Sequence, residues 1–343
     1  MRQSILGVAF SLGSWLAATP VATAAPTTIR VAHFPNITHA QALIGRADGS
    51  FARALGAETT IDWKLFSAGP AVVQALFASE LDLAYLGTGP AIVGFVKSRG
   101  EALRIIAGAA DGGAALVVRE GAGINGPDDF HGKRVATPQL GNTQDVALRG
   151  WLVEHGLEVM ERGGDVRVMP MANAEQLAMF RRGEIDAAWT AEPWVSRLVH
   201  EGGGRVLFDE RDEWKHLTDG RFATTVLVAH PRFLAAHPDL VARWVNAHVE
   251  LTSRIAAQPD ESKRLTNEEL KRLIGKPLRD AVMDEAWGRV AFTTDPIVPS
   301  IVQMARWAFG QGFLGRREPD VSQIVDWGWL ADATPVSQMR SAP

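Results

Sequence analysis

The sequence predicts an α/β protein built as two similar lobes facing each other across a cleft, and three observations carry that reading. A unit of helix, short buried strand ending in Asp-x-Ala-aromatic, and proline-bearing helix start occurs twice, at 69–96 and at 173–198. Both copies end in a small-residue turn at the carboxyl end of the strand, where open α/β sheets bind ligands. At 343 residues the chain suits two lobes better than one core.

In the first copy, the stretch Pro70 to Ser79 places Val72, Val73, Leu76 and Phe77 on one helical side, the spacing of a core-facing stripe. Leu81 to Leu86 follows as a buried parallel strand, and Gly87-Thr88-Gly89-Pro90 opens the next helix. In the second copy, Leu177 and Phe180 point inward. Ile185 to Trp189 forms the strand, and Thr190-Ala191-Glu192-Pro193 opens a helix. Phe77 pairs with Phe180, Asp82 with Asp186, Tyr85 with Trp189 and Pro90 with Pro193. The spacing slips by one residue on each side of the strand, an architectural echo rather than a tandem repeat.

Taken in order, Thr28 to His33 is the first strand, with Thr38 as N-cap of the helix that follows. Thr60 to Phe66 and Leu103 to Gly108 are further strands, and Asp111-Gly112-Gly113 is flexible enough for a crossing between lobes. Ala115 to Arg119 begins the second lobe, and a short capped helix at Pro127 precedes a strand through Val135 and Ala136. Asn142-Thr143 opens a helix bearing Leu148, Trp151 and Leu152, and Val166 to Met169 and Arg205 to Phe208 are strands. Ala223 to Ala229 is a buried strand returning to the first lobe. Helices are expected over Pro238 to Ile255, Asn267 to Ile274, Leu278 to Trp287 and Ile297 to Phe313, with Trp327 and Trp329 on a surface tail. The division is therefore a leader over 1–24, lobe one over 25–112, lobe two over 113–222, and a return with C-terminal helices over 223–343. Two crossings, near Asp111 to Gly113 and Arg221 to Thr224, are expected to act as hinges.

Hydrophobic content of 46% and charged content of 22% place the chain among globular proteins. A net charge of −4 without a basic run leaves no electrostatic footprint for nucleic acid. The absence of cysteine rules out disulfides, thiolate metal sites and thiol catalysis. Arg2, the apolar run Ile5 to Ala18 and Ala22-Thr23-Ala24 read as an export signal cleaved after Ala24. No later segment approaches the ~20 apolar residues of a membrane span. The mature protein is expected to be soluble and outside the cytoplasm, in a periplasm.

Five turns at helix starts recur: Asn36-Ile37-Thr38, Ser67-Ala68-Gly69, Gly87-Thr88-Gly89, Leu140 to Thr143, and Thr190-Ala191-Glu192. Helix N-termini expose unpaired N–H groups and bind oxyanions without a fixed cation, although Thr38, Thr88 and Asn142 can equally be caps of their own helices. Glu192 alone is acidic. It either complements its helix dipole, repels divalent oxyanions, or accepts a hydrogen bond from an ammonium or hydroxyl. Phe34, Tyr85, Trp189 and Trp194 lie near the same turns, in core positions or against an organic part of a ligand. No nucleophile elbow, phosphate loop or His-Glu-x-x-His helix is present. His33, His39, His230 and His237 have no metal-ligand spacing, the last two are expected to be exposed, and His248 is expected at a core edge or partly exposed.

FPNITHA (34–40), DWKLFSAGPAVVQALFASELDLAYLGTGPA, PDDFHGKRVATP, MANAEQLAMFRRGEIDAAWTAEPW and TTVLVAHPRFLAAHPDLV cover most of residues 29–250. Together they resemble the periplasmic substrate-binding proteins of ABC importers for sulfonates, taurine and nitrate. The resemblance implies a type II periplasmic binding protein fold, a monomer without cofactor or metal, and partners in the transmembrane permease subunits. It implies ligand contacts at Asn36, His39, Ser67, Thr88, Asn142, Thr143, Glu192 and Trp194, with Glu-Pro-Trp a turn of nitrate-like and some sulfonate-like members. The ligand it implies is a small organic oxyanion, foremost an aliphatic sulfonate, with taurine, nitrate or bicarbonate, and after them a thiamine-pyrimidine-related compound, as alternatives. The relatives that make the thiamine pyrimidine are enzymes, but they rely on a cysteine-rich motif that this chain lacks.

Overall fold

The computed structural model describes residues 27–333; the leader and its cleavage point lie outside them. Six strands form the first sheet: β1 (Thr27–His33), β2 (Thr59–Leu65), β3 (Leu83–Leu86), β4 (Arg104–Gly112) and, from later in the chain, β10 (Ala223–Ala229) and β11 (Val290–Phe292). The second sheet holds β5 (Ala114–Arg119), β6 (Arg134–Thr137), β7 (Arg167–Pro170), β8 (Ala187–Ala191) and β9 (Gly204–Asp209). Their orders are β11-β4-β10-β3-β1-β2 and β7-β6-β8-β5-β9. Apart from β11, which adds one edge, the two sheets have the same design. Three neighbouring strands run parallel, and the next, β10 or β5, runs antiparallel to both of its neighbours.

The duplicated unit is closer than its sequence suggests. Arg30 gives its backbone N–H (2.8 Å), Nε (2.9 Å) and Nη2 (2.6 Å) to the Asp82 carboxylate, and Nη1 to Ser79 O. Arg134 repeats this on Asp186 with N–H (3.0 Å), Nε (3.0 Å) and Nη2 (2.9 Å), and on Gly183 O. Arginine and aspartate are 52 residues apart in both copies. With the aspartates aligned, the helices Gly69–Phe77 and Asn173–Arg181 align without a gap. The buried Leu76 then matches the buried Phe180, while Phe77, expected inward, is 39% exposed. The apparent slip disappears: Thr88 matches Glu192, and Gly89 matches Pro193.

The chain leaves the first sheet at Gly112 and enters the second at Ala114, with Gly112 and Gly113 at φ +70° and +78°, which only glycine adopts without strain. It returns at Ala223. The two passages are tied together, because Asp111 accepts from Arg221 Nε (3.0 Å) and Phe222 N (2.9 Å). One apolar core, including Phe51 stacked on Trp244 at 4.0 Å, lies under the first sheet. Another runs continuously from Val72 and Ile92 of the first lobe to Trp151, Trp189 and Trp307.

Several expectations are corrected. Thr38 is not an N-cap: it lies inside the 3-10 turn Ile37–His39, ahead of the helix Ala40–Ala47. His248 is fully buried, donating from Nε2 to Gly108 O (2.8 Å) and pairing through Nδ1 with Tyr85 OH (3.0 Å). His230 is buried too, and its Nδ1 accepts from Arg232 N as the cap of the helix Pro231–Ala236. β11, three residues long between two helices, has too little alternation to be read from sequence.

The matched arginine–aspartate pairs predict matched costs. Asp82→Ala and Asp186→Ala should each destabilise the protein by about 1–3 kcal/mol, discounted for the half-exposed guanidiniums. Urea unfolding checks this; an unchanged midpoint for either variant would show that its pair is incidental.

Candidate functional site

The carboxyl ends of both sheets meet at one narrow cavity. From the first lobe come Asn36, Thr38 and His39 after β1, Ser67 after β2, and Gly87 after β3; Thr224 and Thr225 come from the start of β10. From the second come Asn142, Thr143 and Gln144 after β6, Asn173 after β7, and Ala191 at the end of β8. Phe34 and Pro138 supply apolar wall. The space open to the centre of a water-sized sphere is about 20 Å³.

Backbone contacts across the cleft explain this tightness. Gly89 N donates to Thr143 Oγ1 (3.2 Å), and Ile37 N donates to Glu192 O (3.2 Å). A Cβ on Gly87 would collide with Thr143 Oγ1, and one on Gly89 would stand 3.0 Å from Thr143 Cα. The two glycines therefore allow the N-terminus of the helix Thr143–Glu154 to approach the turn after β3.

No Lys, Arg, Asp or Glu lines the cavity among the described residues. His39 is buried, and desolvation, aided by His33, holds its pKa well below the usual histidine range, so the ring is neutral. Its Nδ1 accepts weakly from Phe34 N (3.4 Å), which puts the ring proton on Nε2. Asn142 caps its helix, with Oδ1 accepting from Thr143 N (2.6 Å). Capping and cavity-lining are thus compatible in one side chain. The side chains facing the cavity are hydroxyls, amides and one neutral imidazole, a set that can hold either an anion or a neutral polar molecule.

Of the residues singled out from sequence, Asn36, His39, Ser67, Asn142 and Thr143 meet here. Thr88, Glu192 and Trp194 do not line the cavity. Thr88 Oγ1 donates to Ala223 O (3.0 Å), strapping the turn to the return strand. The Glu192 carboxylate is fully buried, accepts from Ser196 N (3.1 Å) and Ser196 Oγ (2.9 Å), and faces Arg289 Nε at 3.2 Å. Trp194 stacks under the Arg197 guanidinium at 4.4 Å. Tyr85 and Trp189 are core residues, the latter donating from Nε1 to Glu210 Oε1 (2.6 Å). Sequence reasoning missed Gln144, Asn173, Thr224 and Thr225 as lining residues. Two adjacent threonines in an otherwise apolar strand were the available signal for the last pair.

Two outcomes follow from this geometry. Gly87→Ala should hold the lobes apart, giving a larger radius of gyration in small-angle scattering with unchanged circular dichroism; an unchanged radius would mean that the approach is not limiting. Burial pushes the Glu192 carboxyl up to about 8 against the opposing pull of Ser196 and Arg289. A carboxyl whose pKa is raised by folding favours the folded state below its unfolded pKa, and this contribution is lost as pH rises through about 8. Unfolding free energy of the wild type should therefore fall between pH 5 and 8 relative to Glu192→Gln. Parallel profiles would contradict the raised pKa.

Comparison with known proteins places this architecture. The taurine-binding periplasmic protein of Escherichia coli (strain K12) is 28% identical over 298 residues, covering 83% of this chain and 87% of that protein. A putative aliphatic sulfonates-binding protein of Bacillus subtilis (strain 168) is 24% identical over 257 residues, covering 71% and 73%. The alkanesulfonate-binding protein SsuA from Xanthomonas axonopodis pv. citri, solved bound to MOPS, superposes with a TM-score of 0.69 at 20% identity, covering 86% of this chain and 97% of that one. That likeness is one of fold: two α/β lobes with a cleft between them. The NMT1-like family matches residues 22–268, more than half of the sequence, and the chain belongs to that family.

Proposed function

We propose that this protein is the periplasmic solute-binding component of an ABC importer, capturing a small organic sulfonate between its lobes and delivering it to the membrane permease. The observation that carries this reading is the cavity itself, which is shared by both lobes, rich in neutral donors and free of lining charge. A sulfonate has one charge spread over three acceptor oxygens and no proton near neutrality, so hydroxyl and amide donors can satisfy it. A doubly charged oxyanion would leave more charge uncompensated. The kinship with taurine- and sulfonate-binding proteins supports the same class.

The lobes are proposed as 25–112 and 113–222, with the chain returning at 223, and the crossings at Asp111 to Gly113 and Arg221 to Thr224 as hinges. Most of the residues lining the cavity are buried between the lobes, so entry requires the lobes to part. The ligand then favours the closed form by touching both. The protein acts as a monomeric binder that releases its ligand unchanged: among the described residues His39 is the one titratable side chain lining the cavity, and none of them pairs a nucleophile with it. Among sulfonates, an ammonium tail as in taurine would have to rely on neutral acceptors, because the Glu192 carboxylate is turned to Ser196 and Arg289. An aliphatic sulfonate without an amine needs no such partner.

A thermal-shift panel of alkanesulfonates, taurine, nitrate, bicarbonate and sulfate tests the assignment. A ligand at a hundred times its Kd should add about 2.7 kcal/mol of stability. Alkanesulfonates should raise Tm most, and Asn142→Ala should weaken their binding by about 1 kcal/mol. Stabilisation by nitrate or bicarbonate, with none by any sulfonate, would reject the sulfonate assignment.

A further inference from the structure

Thr224 stands where the chain returns to the first sheet, and the strand is irregular at that point. Ala223 pairs with Asp111 and Thr225 with Ala110, which leaves Thr224 without a ladder partner. A bulge of this kind redirects a side chain out of the regular alternation. Its surroundings are held from several directions. Phe222 N donates to Asp111, Ala223 N donates to Ser300 Oγ (3.0 Å), and Ala223 O accepts from Thr88 Oγ1. Only the Thr224 hydroxyl is left over. It is buried, lines the cavity and has no hydrogen-bond partner among the described residues.

The second lobe shows a counterpart. Gln144, in the first turn of the helix Thr143–Glu154, also lines the cavity, and its Nε2 is buried without a hydrogen bond. It lies beside the Glu210 carboxyl without reaching bonding geometry. A buried polar group left unsatisfied is destabilising, and a structure keeps such a group where something else completes it. Two of them, one from each lobe, line the same cavity.

We infer that Thr224 and Gln144 are ligand-contacting residues, a hydroxyl and an amide that each donate to acceptor oxygens of the bound anion from opposite lobes. This rests on the reading of the cavity as a binding site and adds the pair through which the ligand bridges the lobes. Thr224 adjoins the passage tied by Asp111 and Arg221. A ligand bonded to it therefore fixes the return strand directly, and its bond to Gln144 draws in the facing helix.

Thr224→Val and Gln144→Met keep volume and remove the donor, while Thr224→Ser keeps the hydroxyl. Calorimetry with 1-butanesulfonate, taurine and nitrate should show the best wild-type ligand bound roughly three- to ten-fold more weakly by Thr224→Val and by Gln144→Met. Thr224→Ser should stay near wild type. In the ligand-free protein, Thr224→Val should melt no lower than wild type, because no internal hydrogen bond is lost. Unchanged affinity in Thr224→Val, or a lowered ligand-free Tm, would overturn the inference by making the hydroxyl idle or structural. Binding of nitrate alone would remove the sulfonate reading while still testing both residues; binding of none of the three would overturn both.

Discussion

In each lobe an arginine on a central parallel strand holds the aspartate that introduces its neighbour, using its backbone N–H and two guanidinium nitrogens. The remaining guanidinium contact goes to the carbonyl that closes the preceding helix. A carboxylate gripped by charge-assisted bonds in this fork has little freedom to slide. This matters because a one-residue slip would turn every side chain of β3 or β8 to the other face of its sheet. With the register held, β3 delivers Gly87 and β8 delivers Ala191 to the same cavity. The facing turns of the two lobes thus depend on ion pairs at the far ends of their strands.

The charge pattern around the cavity follows from what is buried beside it. Glu192 and Glu210 are both fully buried, and desolvation raises each carboxyl to about 8. Near neutral pH both spend much of their time protonated, which reduces the negative field at the cavity. Glu192 occupies the position that matches Thr88 in the first lobe, yet neither side chain faces the cavity. One straps a turn to the return strand and the other holds Ser196 and Arg289. At these matched positions the backbone turn borders the cavity, and the side chain fastens the turn to its surroundings.

The periodicity of the duplicated unit revealed the two-lobed plan because its signal is local: a helical stripe, an apolar run and a small-residue turn all lie within thirty residues or so. Asn36, Ser67 and Asn142 were legible for the same reason, each standing at the end of a readable strand. The arginine partners were not, since Arg30 and Arg134 lie 52 residues from their aspartates and look like ordinary exposed strand residues. Thr224 was hidden inside an apolar strand whose bulge appears only when it pairs with β4. Glu192 misled because a carboxylate next to a proline at a helix start looks accessible, and only the packed helix shows it accepting from Ser196 one turn later.

The contacts that link the lobes differ in what parting them would expose. After β11 the chain crosses once more: the helix Val298–Gly310 lays Trp307 against Gly150, where an added Cβ would meet the indole at 2.6 Å. Trp307 also donates to Glu154 (2.7 Å) and packs on Trp214 at 4.2 Å. Separating these surfaces would wet large aromatic area, at roughly 25 cal/mol per Å². The other links are polar. His200 pairs with Glu285 (2.5 Å), and Arg289 reaches Asp209 (3.1 Å) and Glu192 from the first lobe. Water can replace the exposed His200–Glu285 pair at little cost, although freeing Glu192 from Arg289 costs more because it is buried. Of these contacts the His200–Glu285 pair is therefore the one that costs least to separate, and the Trp307 packing the one that costs most.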